Sequence, residues 1–522
     1  MQTAWTIAAH DSSCGAGIQA DLAAFAHFNI HGCSATTKIT AQNTHGIVGS
    51  YTLPGNIFKQ QLEALIQDLP PHAIKISVLG SNAQINILAK FLENINFLPQ
   101  FNKFNNNIIY DPVITSSSHT ILTETKLINN IRENLFPLLT LITPNIPEAE
   151  ILTGIKINST QDIISAAQSL LSMGVKNVLI KGGHLFKDQQ TNYIEQATHV
   201  NDLFMNTQQS YWVSSKRQHQ QTQLRNIHGT GCHLSSAITA NLALNYNIFD
   251  SIIIAKRYIN AAIRNSYQPN PSSAQYYIPQ FDFKVNHLDM PIVIPNLPHI
   301  NLLSQLHSTN CAKNTQLDNF GLYPIVDNSA WIAKLIEWGV KTIQLRIKDY
   351  PSIEYLENEV ITSVKLAKQH NIKLFINDHW KLSIKHNAYG VHLGQEDLQS
   401  ANITEIKRSG LYLGISTHSH HELANALAYQ PSYIALGPIY PTNSKAMSYA
   451  PQGLERIYEW QNMLTDKCPL VVIGGIGPDN IDTVLSTNSP NIAVISAITK
   501  ANNPELMTKQ LLQKINILLK YT

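Results

Sequence analysis

One pattern recurs eight times between Leu322 and Ser496: a short apolar run, then a polar or glycine-rich cluster, then a stretch with helical periodicity. The apolar runs are LYPIV, TIQL, KLFI, GVHL, LYLGI, YIALG, LVVIG and IAVI. Eight strand–helix units in series predict a (β/α)8 TIM barrel, in which functional side chains lie at the carboxyl ends of the strands. Because each polar cluster directly follows its apolar run, this half of the chain is expected to be an enzyme.

Length and composition limit the classes of protein to consider. The chain has 522 residues, which exceeds one ordinary hydrophobic core and favours two domains. Apolar residues make up 44% and charged residues 14%, as is typical of folded soluble proteins. The formal net charge of +2 creates no large field of one sign, so neither nucleic acid nor a membrane surface is expected as a partner.

The cysteines and the N-terminal segment bear on the compartment. The five cysteines are odd in number and form no CxxC pair, so neither a disulfide framework nor a zinc ribbon is expected. The segment MQTAWTIAAHDSS has no basic region ahead of a long apolar stretch and is predicted to be a first strand. No apolar run approaches the roughly 20 residues that span a bilayer. We therefore predict a cytoplasmic protein.

The first half of the chain also alternates strands with helices. The apolar runs TAWTIAA, AIKISVL, NIIYD, LLTLITP and VKNVLIKGG predict a mainly parallel sheet covered by helices on both faces. Beyond Tyr267 the periodicity gives way to segments rich in Pro, Asn and Ser. We predict domains at 1–267 and 319–522 with a connector at 268–318. The alternative is that the connector packs on one domain as an extended arm.

The motif His228-Gly229-Thr230-Gly231-Cys232 directly precedes an apolar helix. Glycines at a helix start let several backbone N–H groups converge, and the helix dipole adds positive potential, which suits a transferring phosphoryl group. Gly229, Gly231 and Cys232 are therefore predicted to be catalytic. The helix N-terminus is expected to lower the pKa of Cys232, so that it accepts a proton from a substrate hydroxyl. The alternative is a helix start with a buried structural thiol.

Other strand ends of this half carry polar residues. Lys181 follows the run VLI beside two glycines, which suits nucleotide phosphates, and Asp111 ends the strand NIIYD. Asn145 and Glu148 begin a helix with the spacing NxxE and could hold Mg²⁺ through their oxygens. For that last pair, the alternative is a helix N-cap with an acidic first turn.

Together these residues resemble the ribokinase-like hydroxymethylpyrimidine/phosphomethylpyrimidine kinases, over about residues 3–265. The motifs that carry the resemblance are HDSSCGAGIQAD (10–21), TAQNT (40–44), AIKI (73–76), DPV (111–113), TPNIPEAE (143–150), KGGH (181–184) and HGTGCHLSSA (228–237). The resemblance implies a three-layer α/β/α fold and a pyrimidine held by Gln42, Asp21 and the Ala16 backbone. It also implies Cys232 as the base. The ATP and Mg²⁺ sites that it implies comprise Lys181, Thr230, Asn145, Glu148 and Asp111.

In the predicted barrel, Asp378 and Asp397 end consecutive strands. Adjacent parallel strands lie roughly 5 Å apart, so these carboxylates could share one Mg²⁺; the alternative is that they are helix N-caps. Gln344, Arg346 and Lys348 alternate along one strand and its exit, so they face one way. Arginine and lysine there suit a pyrophosphate, whereas the alternative is a solvated strand end.

A second anion site is predicted on the opposite wall. Gly474-Gly475 follows strand seven and Ser496 follows strand eight, where TIM barrels recurrently bind phosphate. A tight turn is the alternative for the two glycines. Two anion sites at one mouth favour two phosphorylated substrates, joined as Mg²⁺ assists the departure of pyrophosphate.

This half resembles thiamine-phosphate synthase over about residues 320–518. The motifs are QLRIKD (344–349), FINDHW (375–380), GVHLGQEDL (390–398), GISTHS (414–419), GPIYPTNSK (437–445), VVIGGI (471–476) and VISAI (494–498). The resemblance implies that an aminopyrimidine pyrophosphate meets Gln344, Leu345, Arg346, Ile347, Lys348, Asn377, Ser416 and Lys445. The Ile347 side chain is expected to point away from the substrate. Arg346 and Lys445 are expected to be catalytic, and a thiazole phosphate is expected to meet Thr442, Asn443, Ser444, Gly475, Ile495 and Ser496.

Both resemblances together predict one bifunctional enzyme that uses ATP and Mg²⁺. It would phosphorylate hydroxymethylpyrimidine twice and couple the product with hydroxyethylthiazole phosphate to give thiamine phosphate. Two alternatives for the first domain stay open, namely a pyridoxal-type kinase and a ligand sensor without catalysis. Because relatives of each half self-associate, the resemblance also implies a homo-oligomer.

Overall fold

The computed structural model describes residues 1–95, 107–114, 125–183, 198–218, 227–295, 319–442 and 449–519. The chain forms two compact units, Met1–Leu302 and Leu303–Thr522. None of the helices in the described ranges combines the length and the apolar character that a bilayer crossing requires.

The first unit is built on a ten-stranded sheet with the order β12-β9-β8-β7-β6-β5-β4-β1-β2-β3. Its strands are β1 (Thr3–Asp11), β2 (His31–Asn43), β3 (Gly46–Thr52), β4 (Ala73–Ile76), β5 (Ile108–Tyr110), β6 (Leu141–Ile142), β7 (Asn177–Ile180), β8 (His199–Asn206), β9 (Ser210–Lys216) and β12 (Ile292–Pro295). Strands β2, β1, β4, β5, β6 and β7 pair in parallel, and the strands at either edge are antiparallel. A separate parallel pair joins β10 (Ile227–His228) to β11 (Tyr276–Tyr277).

Helices cover the sheet in a three-layer α/β/α arrangement, as predicted. They are α1 (Gly17–His27), α2 (Gly55–Asp68), α3 (Asn82–Ile95), α4 (Thr125–Asn134), α5 (Ile146–Thr153), α6 (Thr160–Ser172), α7 (Thr230–Ala243) and α8 (Ile248–Arg264), with 3-10 turns at Phe136–Leu138 and His287–Asp289. Helix α7 is buried over most of its length and packs against both α1 and α8. Because the central strands are parallel, the residues that end them meet at one edge of the sheet.

The stretch after residue 267 differs from the predicted connector. Its described part, 268–295, contributes β11 and β12 to the first unit, and β12 pairs with β9 through Val293 and Ile294, both nearly inaccessible to solvent. The apolar run MPIVIP therefore extends the sheet, which is the extended-arm alternative. Proline-rich flanks obscured a strand that lies at the sheet edge, where proline is tolerated.

The second unit is the predicted barrel of eight parallel strands, closed in the order β13 to β20. The strands are β13 (Leu322–Val326), β14 (Thr342–Leu345), β15 (Lys373–Asn377), β16 (Gly390–Leu393), β17 (Tyr412–Thr417), β18 (Tyr433–Leu436), β19 (Leu470–Ile473) and β20 (Ile492–Val494). The helices are α9 (Ser329–Glu337), α10 (Ile353–Gln369), α11 (Trp380–Lys385), α12 (Asp397–Ser400), α13 (Ile403–Arg408), α14 (His420–Ala428), α15 (Gly453–Leu464), α16 (Ile481–Leu485), α17 (Ser496–Thr499) and α18 (Pro504–Leu519). Aromatic side chains fill the lower interior, among them Phe320, Tyr323, Phe375 and Tyr433.

Candidate active sites

Two glycine turns of the first unit meet backbone to backbone. Gly229, in the turn before α7, has φ +79°, and a Cβ there would lie 1.9 Å from the carbonyl oxygen of Gly15. Gly17, at the start of α1, has φ +60°, and a Cβ there would lie 2.2 Å from the carbonyl oxygen of Ala9. Only glycine permits both the conformation and the contact. The GAG and GTG motifs thus bring the N-termini of α1 and α7 together.

Gly231, Lys181 and Asp111 converge beside this junction. A Cβ on Gly231 would lie 3.0 Å from the Lys181 Nζ and 3.7 Å from an Asp111 oxygen. The Lys181 ammonium donates to Asp111 over 2.8 Å, and the Ser235 hydroxyl donates to the other carboxylate oxygen over 3.3 Å. Burial raises the pKa of Asp111, but Lys181 and Lys75 outweigh it and hold the pKa below its usual range. Lys181, Asp111 and Gly231, each from a different segment of the chain, therefore lie side by side.

Asn145 and Glu148 cap the N-terminus of α5 by hydrogen-bonding to each other's backbone. This is the arrangement that the sequence offered as the alternative to metal binding. The Asn145 side chain accepts from the Glu148 N–H over 2.9 Å, and the Glu148 carboxylate accepts from the Asn145 N–H over 2.8 Å. Burial raises the pKa of Glu148 to about 7; Lys181 opposes this rise, and Asp111 adds to it. Two carboxylates that repel each other are a donor set that fits Mg²⁺, so capping and metal binding are compatible here.

Cys232 differs from the sequence prediction. The thiol is buried in the first turn of α7, and burial is the main reason that its pKa is raised to about 11. Lys75 and an amide hydrogen bond from Gly17 pull the pKa down, but they do not compensate for burial and the nearby carboxylates. The expected low pKa was wrong because burial of the thiol raises the pKa by more than its surroundings lower it.

Asp21 lies beneath the junction with no solvent exposure. Lys75 contacts both of its oxygens, at 2.7 and 2.8 Å, while Thr6 and Ser236 each donate one further hydrogen bond. In this structure Asp21 therefore supports the site from below, which corrects the expected contact with a pyrimidine. Lys75 was missed, although a lysine inside the apolar strand AIKI signals a buried partner.

Gln42 and Ala16 are linked by two residues that had no predicted role, Asp11 and His228. The His228 Nε2 lies 2.9 Å from the Gln42 side-chain nitrogen and 3.1 Å from an Asp11 oxygen. The Ala16 N–H donates to that same oxygen over 3.0 Å. Both residues stand inside the quoted motifs HDSS and HGTGC, which is the signal that could have identified them.

The mouth of the barrel contains a cavity of about 620 Å³. Eleven predicted residues line it: Gln344, Arg346, Lys348, Asn377, Asp378, Asp397, Ser416, Thr442, Gly475, Ile495 and Ser496. Leu345 and Ile347 do not line it, because alternation along the strand turns their side chains into the surrounding core. Their side chains therefore do not make the contact with substrate that was expected of these two positions. The Ile347 side chain points away from the cavity, as expected. Asn443, Ser444 and Lys445 lie outside the described residues.

Asp378 and Asp397 follow neighbouring strands and line the same side of this cavity, where each affects the pKa of the other. Burial raises the pKa of Asp378, but Lys348, which contacts it, lowers the pKa below its usual range. Burial and repulsion from Asp378 raise the pKa of Asp397. Within the described ranges, no group of three or more His, Cys, Asp or Glu side chains forms a metal site. A carboxylate pair still fits Mg²⁺, which retains several waters.

The opposite wall is formed by Gly474 and Gly475, with φ of +100° and +67°. A Cβ on Gly475 would lie 2.6 Å from the carbonyl oxygen of Pro441, so this wall requires glycine. Ser496 begins α17 at the end of the next strand. The geometry therefore sets a glycine and serine wall opposite the acidic one, as the two predicted anion sites require.

Known proteins match both halves. A family model described as phosphomethylpyrimidine kinase matches residues 11–276, and one described as thiamine monophosphate synthase matches residues 322–498. The chloroplastic thiamine biosynthetic bifunctional enzyme of Arabidopsis thaliana is 30% identical over 509 residues, which cover 94% of this chain and 89% of that protein. The chain belongs to this family of bifunctional thiamine biosynthetic enzymes. Both of its units are therefore transferases, a kinase followed by a synthase.

Two further relatives each cover one unit. Thiamine-phosphate synthase of Serratia proteamaculans is 51% identical over 195 residues, which cover 37% of this chain and 91% of that protein. The crystal structure of phosphomethylpyrimidine kinase from Clostridium difficile 630 is 36% identical and covers 50% of this chain and 100% of that chain, with a TM-score of 0.42.

At the mouth of the synthase unit, one cluster had no predicted role beyond its place after a strand. His418 contacts Glu422 over 2.8 Å, and the Tyr449 hydroxyl donates to the other oxygen of that carboxylate over 2.6 Å. The rings of His418 and Tyr449 stack with centroids 4.6 Å apart. Burial raises the pKa of Glu422, but hydrogen bonds and charge from His418 lower it below its usual range. This triad fixes the side chains at one rim of the cavity.

Proposed function

We propose that the kinase unit transfers two phosphoryl groups in turn from ATP to hydroxymethylpyrimidine, and that the synthase unit couples the resulting pyrophosphate with hydroxyethylthiazole phosphate. The products would be thiamine phosphate and pyrophosphate. The barrel mouth is the observation that carries this proposal. It sets a carboxylate pair with Arg346 and Lys348 opposite a wall containing Gly475 and Ser496.

In the kinase step, Lys181 and the N-terminus of α7 would stabilise negative charge on the transferring group. The raised pKa of Cys232 favours a thiol that donates a hydrogen bond to that group over a thiolate base. A loose phosphoryl-transfer transition state needs little help from a strong base. Asp111 and Glu148 would hold Mg²⁺, which supplies charge neutralisation at the phosphates when bound.

In the synthase step, Arg346, Lys348 and Lys445 would hold the pyrophosphate as its bond to the pyrimidine methylene breaks. Asp378 and Asp397 would hold Mg²⁺, which stabilises the leaving pyrophosphate when bound. The electron-rich aminopyrimidine carries the resulting positive charge, and the thiazole nitrogen then attacks the methylene carbon. One C–O bond breaks and one C–N bond forms. The unit mainly supplies orientation and electrostatics.

The direct test supplies the purified full chain with ATP, Mg²⁺, hydroxymethylpyrimidine and thiazole phosphate. Mass spectrometry should detect thiamine phosphate. Asp378→Ala should abolish coupling and leave pyrimidine phosphorylation intact, whereas Cys232→Ala should impair phosphorylation and leave coupling of supplied pyrimidine pyrophosphate intact. The activity that each variant retains shows that its unaltered unit is folded. Faster ATP consumption with pyridoxal would overturn the kinase substrate, and binding without turnover would favour a sensor.

We further propose a homo-oligomer in the cytoplasm that acts on small molecules. The described cysteines, Cys14, Cys33, Cys232 and Cys468, carry free thiols, which supports a reducing compartment. Light scattering of the purified chain tests the oligomer.

A further inference from the structure

A continuous chain of hydrogen bonds crosses the interior of the barrel beneath the cavity. Gln344 Nε2 lies 3.1 Å from the Tyr323 hydroxyl, which lies 3.0 Å from the Tyr433 hydroxyl. The Tyr433 hydroxyl lies 2.7 Å from His392 Nδ1, and His392 Nε2 lies 2.8 Å from the Ser416 hydroxyl. We call these five residues the barrel relay. They come from five different strands, so only the closed barrel assembles them.

The two tyrosines of the barrel relay are insulated from solvent, and its other three members line the cavity. Tyr323 and Tyr433 are essentially inaccessible, whereas Gln344, His392 and Ser416 line the cavity. The Tyr433 ring occupies space that a side chain at 414 would fill, since a Cβ on Gly414 would lie 2.1 Å from that ring. The fold thus places a polar chain without lysine, arginine or carboxylate in a low-dielectric interior, where unpaired groups are costly.

With a neutral His392, proton counting allows the relay two consistent directions. In the first, Gln344 donates to Tyr323, each hydroxyl donates onward, His392 accepts at Nδ1 and donates from Nε2, and Ser416 donates into the cavity. In the second, every bond is reversed, and Gln344 accepts from Tyr323 through its carbonyl oxygen. Because a side-chain amide has one oxygen and one NH₂ group, the direction decides which of them faces the cavity. The polarities of Gln344 and Ser416 are therefore coupled.

We propose that the barrel relay runs in the first direction and so selects the ring of the substrate. A phenol is a stronger donor than a neutral imidazole N–H, which favours the Tyr433 hydroxyl donating to His392. Gln344 then presents its carbonyl oxygen to the cavity and accepts from an exocyclic amine, while Ser416 presents a donor. Tyr323, Tyr433 and His392 act as positioning residues. This proposal rests on the proposed function for the identity of the substrate.

The consequence is discrimination between an amino and an oxo group on the pyrimidine. An oxo group would place one acceptor against the carbonyl oxygen of Gln344, and the relay resists the amide flip that would accommodate it. Sites that hydrogen-bond a substrate group reject analogues lacking it by large factors. We expect kcat/KM for the 4-amino pyrimidine pyrophosphate to exceed that of the 4-oxo analogue by about 10³-fold or more.

The first experiment needs no substrate. In the full chain labelled with ¹⁵N-histidine, the imidazole shifts of His392 report its tautomer, and His392→Gln assigns them by difference. The proposal requires the proton on Nε2. A proton on Nδ1 would mean that the relay runs in reverse and would overturn it. Tyr433→Phe should shift the Nδ1 resonance, because it removes the hydroxyl that donates to that nitrogen.

The second experiment measures the amino-to-oxo ratio of kcat/KM in Tyr433→Phe. This variant retains the ring and cuts the relay, so the ratio should fall at least about tenfold, which is about 1.4 kcal/mol. Tyr412→Phe, which removes a tyrosine hydroxyl that is not part of the relay, should leave the ratio unchanged. Turnover of the 4-amino substrate by each variant reports that its barrel is folded. An unchanged ratio in Tyr433→Phe would overturn the proposal.

The two results separate the relay from the proposed function. Absence of thiamine phosphate from the unmodified enzyme would overturn the proposed function. A proton on Nδ1 of His392 in an enzyme that does make thiamine phosphate would overturn the relay alone.

Discussion

The buried residues beneath the two active sites are held together by different kinds of interaction. Beneath the kinase site lies a buried ion pair, Lys75 with Asp21, and a second pair, Lys256 with Asp202, is joined to Gly182 beside Lys181. Beneath the synthase site lies the barrel relay, which contains no lysine, arginine or carboxylate. One site is supported by paired charges and the other by neutral hydrogen bonds.

The chemistry accounts for this difference. A kinase site receives polyphosphate, and lysines that carboxylates hold in place assist binding and transfer. The synthase site is proposed to generate a cation on the pyrimidine ring. A buried ammonium under that ring would oppose the cation, and an unpaired carboxylate would bind it too tightly to release. A neutral layer that accepts from the amine avoids both outcomes.

The largest predicted effect comes from breaking the buried pair in the kinase unit. Lys75→Met leaves the Asp21 carboxylate buried without its cation, which should reduce the free energy of unfolding of this unit by about 3–5 kcal/mol. Kinase activity should fall with it. Calorimetry, with the transition assigned through loss of kinase activity, provides the measurement.

Two controls define that result. Lys59→Met removes a lysine from an exposed pair with Glu63 and should cost less than about 1 kcal/mol. The double variant Lys75→Met/Asp21→Asn removes both charges and should recover much of the lost stability. A loss for Lys75→Met no larger than that for Lys59→Met would show that the buried pair contributes little.

A steric change next to the barrel relay should reduce both stability and synthase activity. Gly414→Ala places a methyl group 2.1 Å from the Tyr433 ring, so the ring or the strand must move. We expect a loss of about 1–3 kcal/mol, measured by chemical denaturation, together with reduced synthase activity. Gly477→Ala is the matched control, because its Cβ would have its nearest neighbour at 4.0 Å. Equal effects in both variants would contradict the role of Gly414.

Periodicity predicted the parts of each site that repeat along the chain. The barrel, and the residues Gln344, Asp378, Asp397 and Ser496 at its strand ends, follow from apolar runs succeeded by polar clusters. Such a pattern shows which face a side chain occupies but not which residue it meets. Tyr323 and Tyr433 are 110 positions apart, so their contact depends on the closure of the barrel and could not be predicted.

Burial was the second quantity that the sequence could not provide. The position of Cys232 at a helix start was predicted, but the sign of its pKa shift depends on packing around the thiol. Asp21 lay in a recognised motif, yet its neighbours Lys75 and Ser236 come from distant segments and bury it completely. Short motifs therefore located the sites, and tertiary packing determined the state of the residues in them.

The Mg²⁺ requirement of the kinase unit should depend on pH. Because Glu148 has a pKa of about 7, it is protonated below that pH and loses its affinity for Mg²⁺. The Mg²⁺ concentration for half-maximal kinase activity should therefore rise about tenfold between pH 8 and pH 6. Glu148→Gln should raise the requirement and flatten its pH dependence. The same steep profile in Glu148→Gln would assign the titration to another group.

The smallest predicted effect concerns the acidic pair of the synthase. Partial burial and repulsion from Asp378 raise the pKa of Asp397, so protonated Asp397 favours the folded state and that contribution is lost as pH rises through the raised pKa. Asp397→Asn should therefore stabilise the metal-free protein at pH 7 by about 1 kcal/mol, allowing for solvent screening at this half-exposed site.

The gain in Asp397→Asn should disappear at low pH, where both carboxyls are protonated. Glu396→Gln, which removes the adjacent exposed carboxylate, should change stability by less than half as much. Synthase activity should be lost in Asp397→Asn only, because the site would give up a magnesium ligand in exchange for stability. A stability gain that persists at low pH would exclude charge repulsion between Asp378 and Asp397 as its cause.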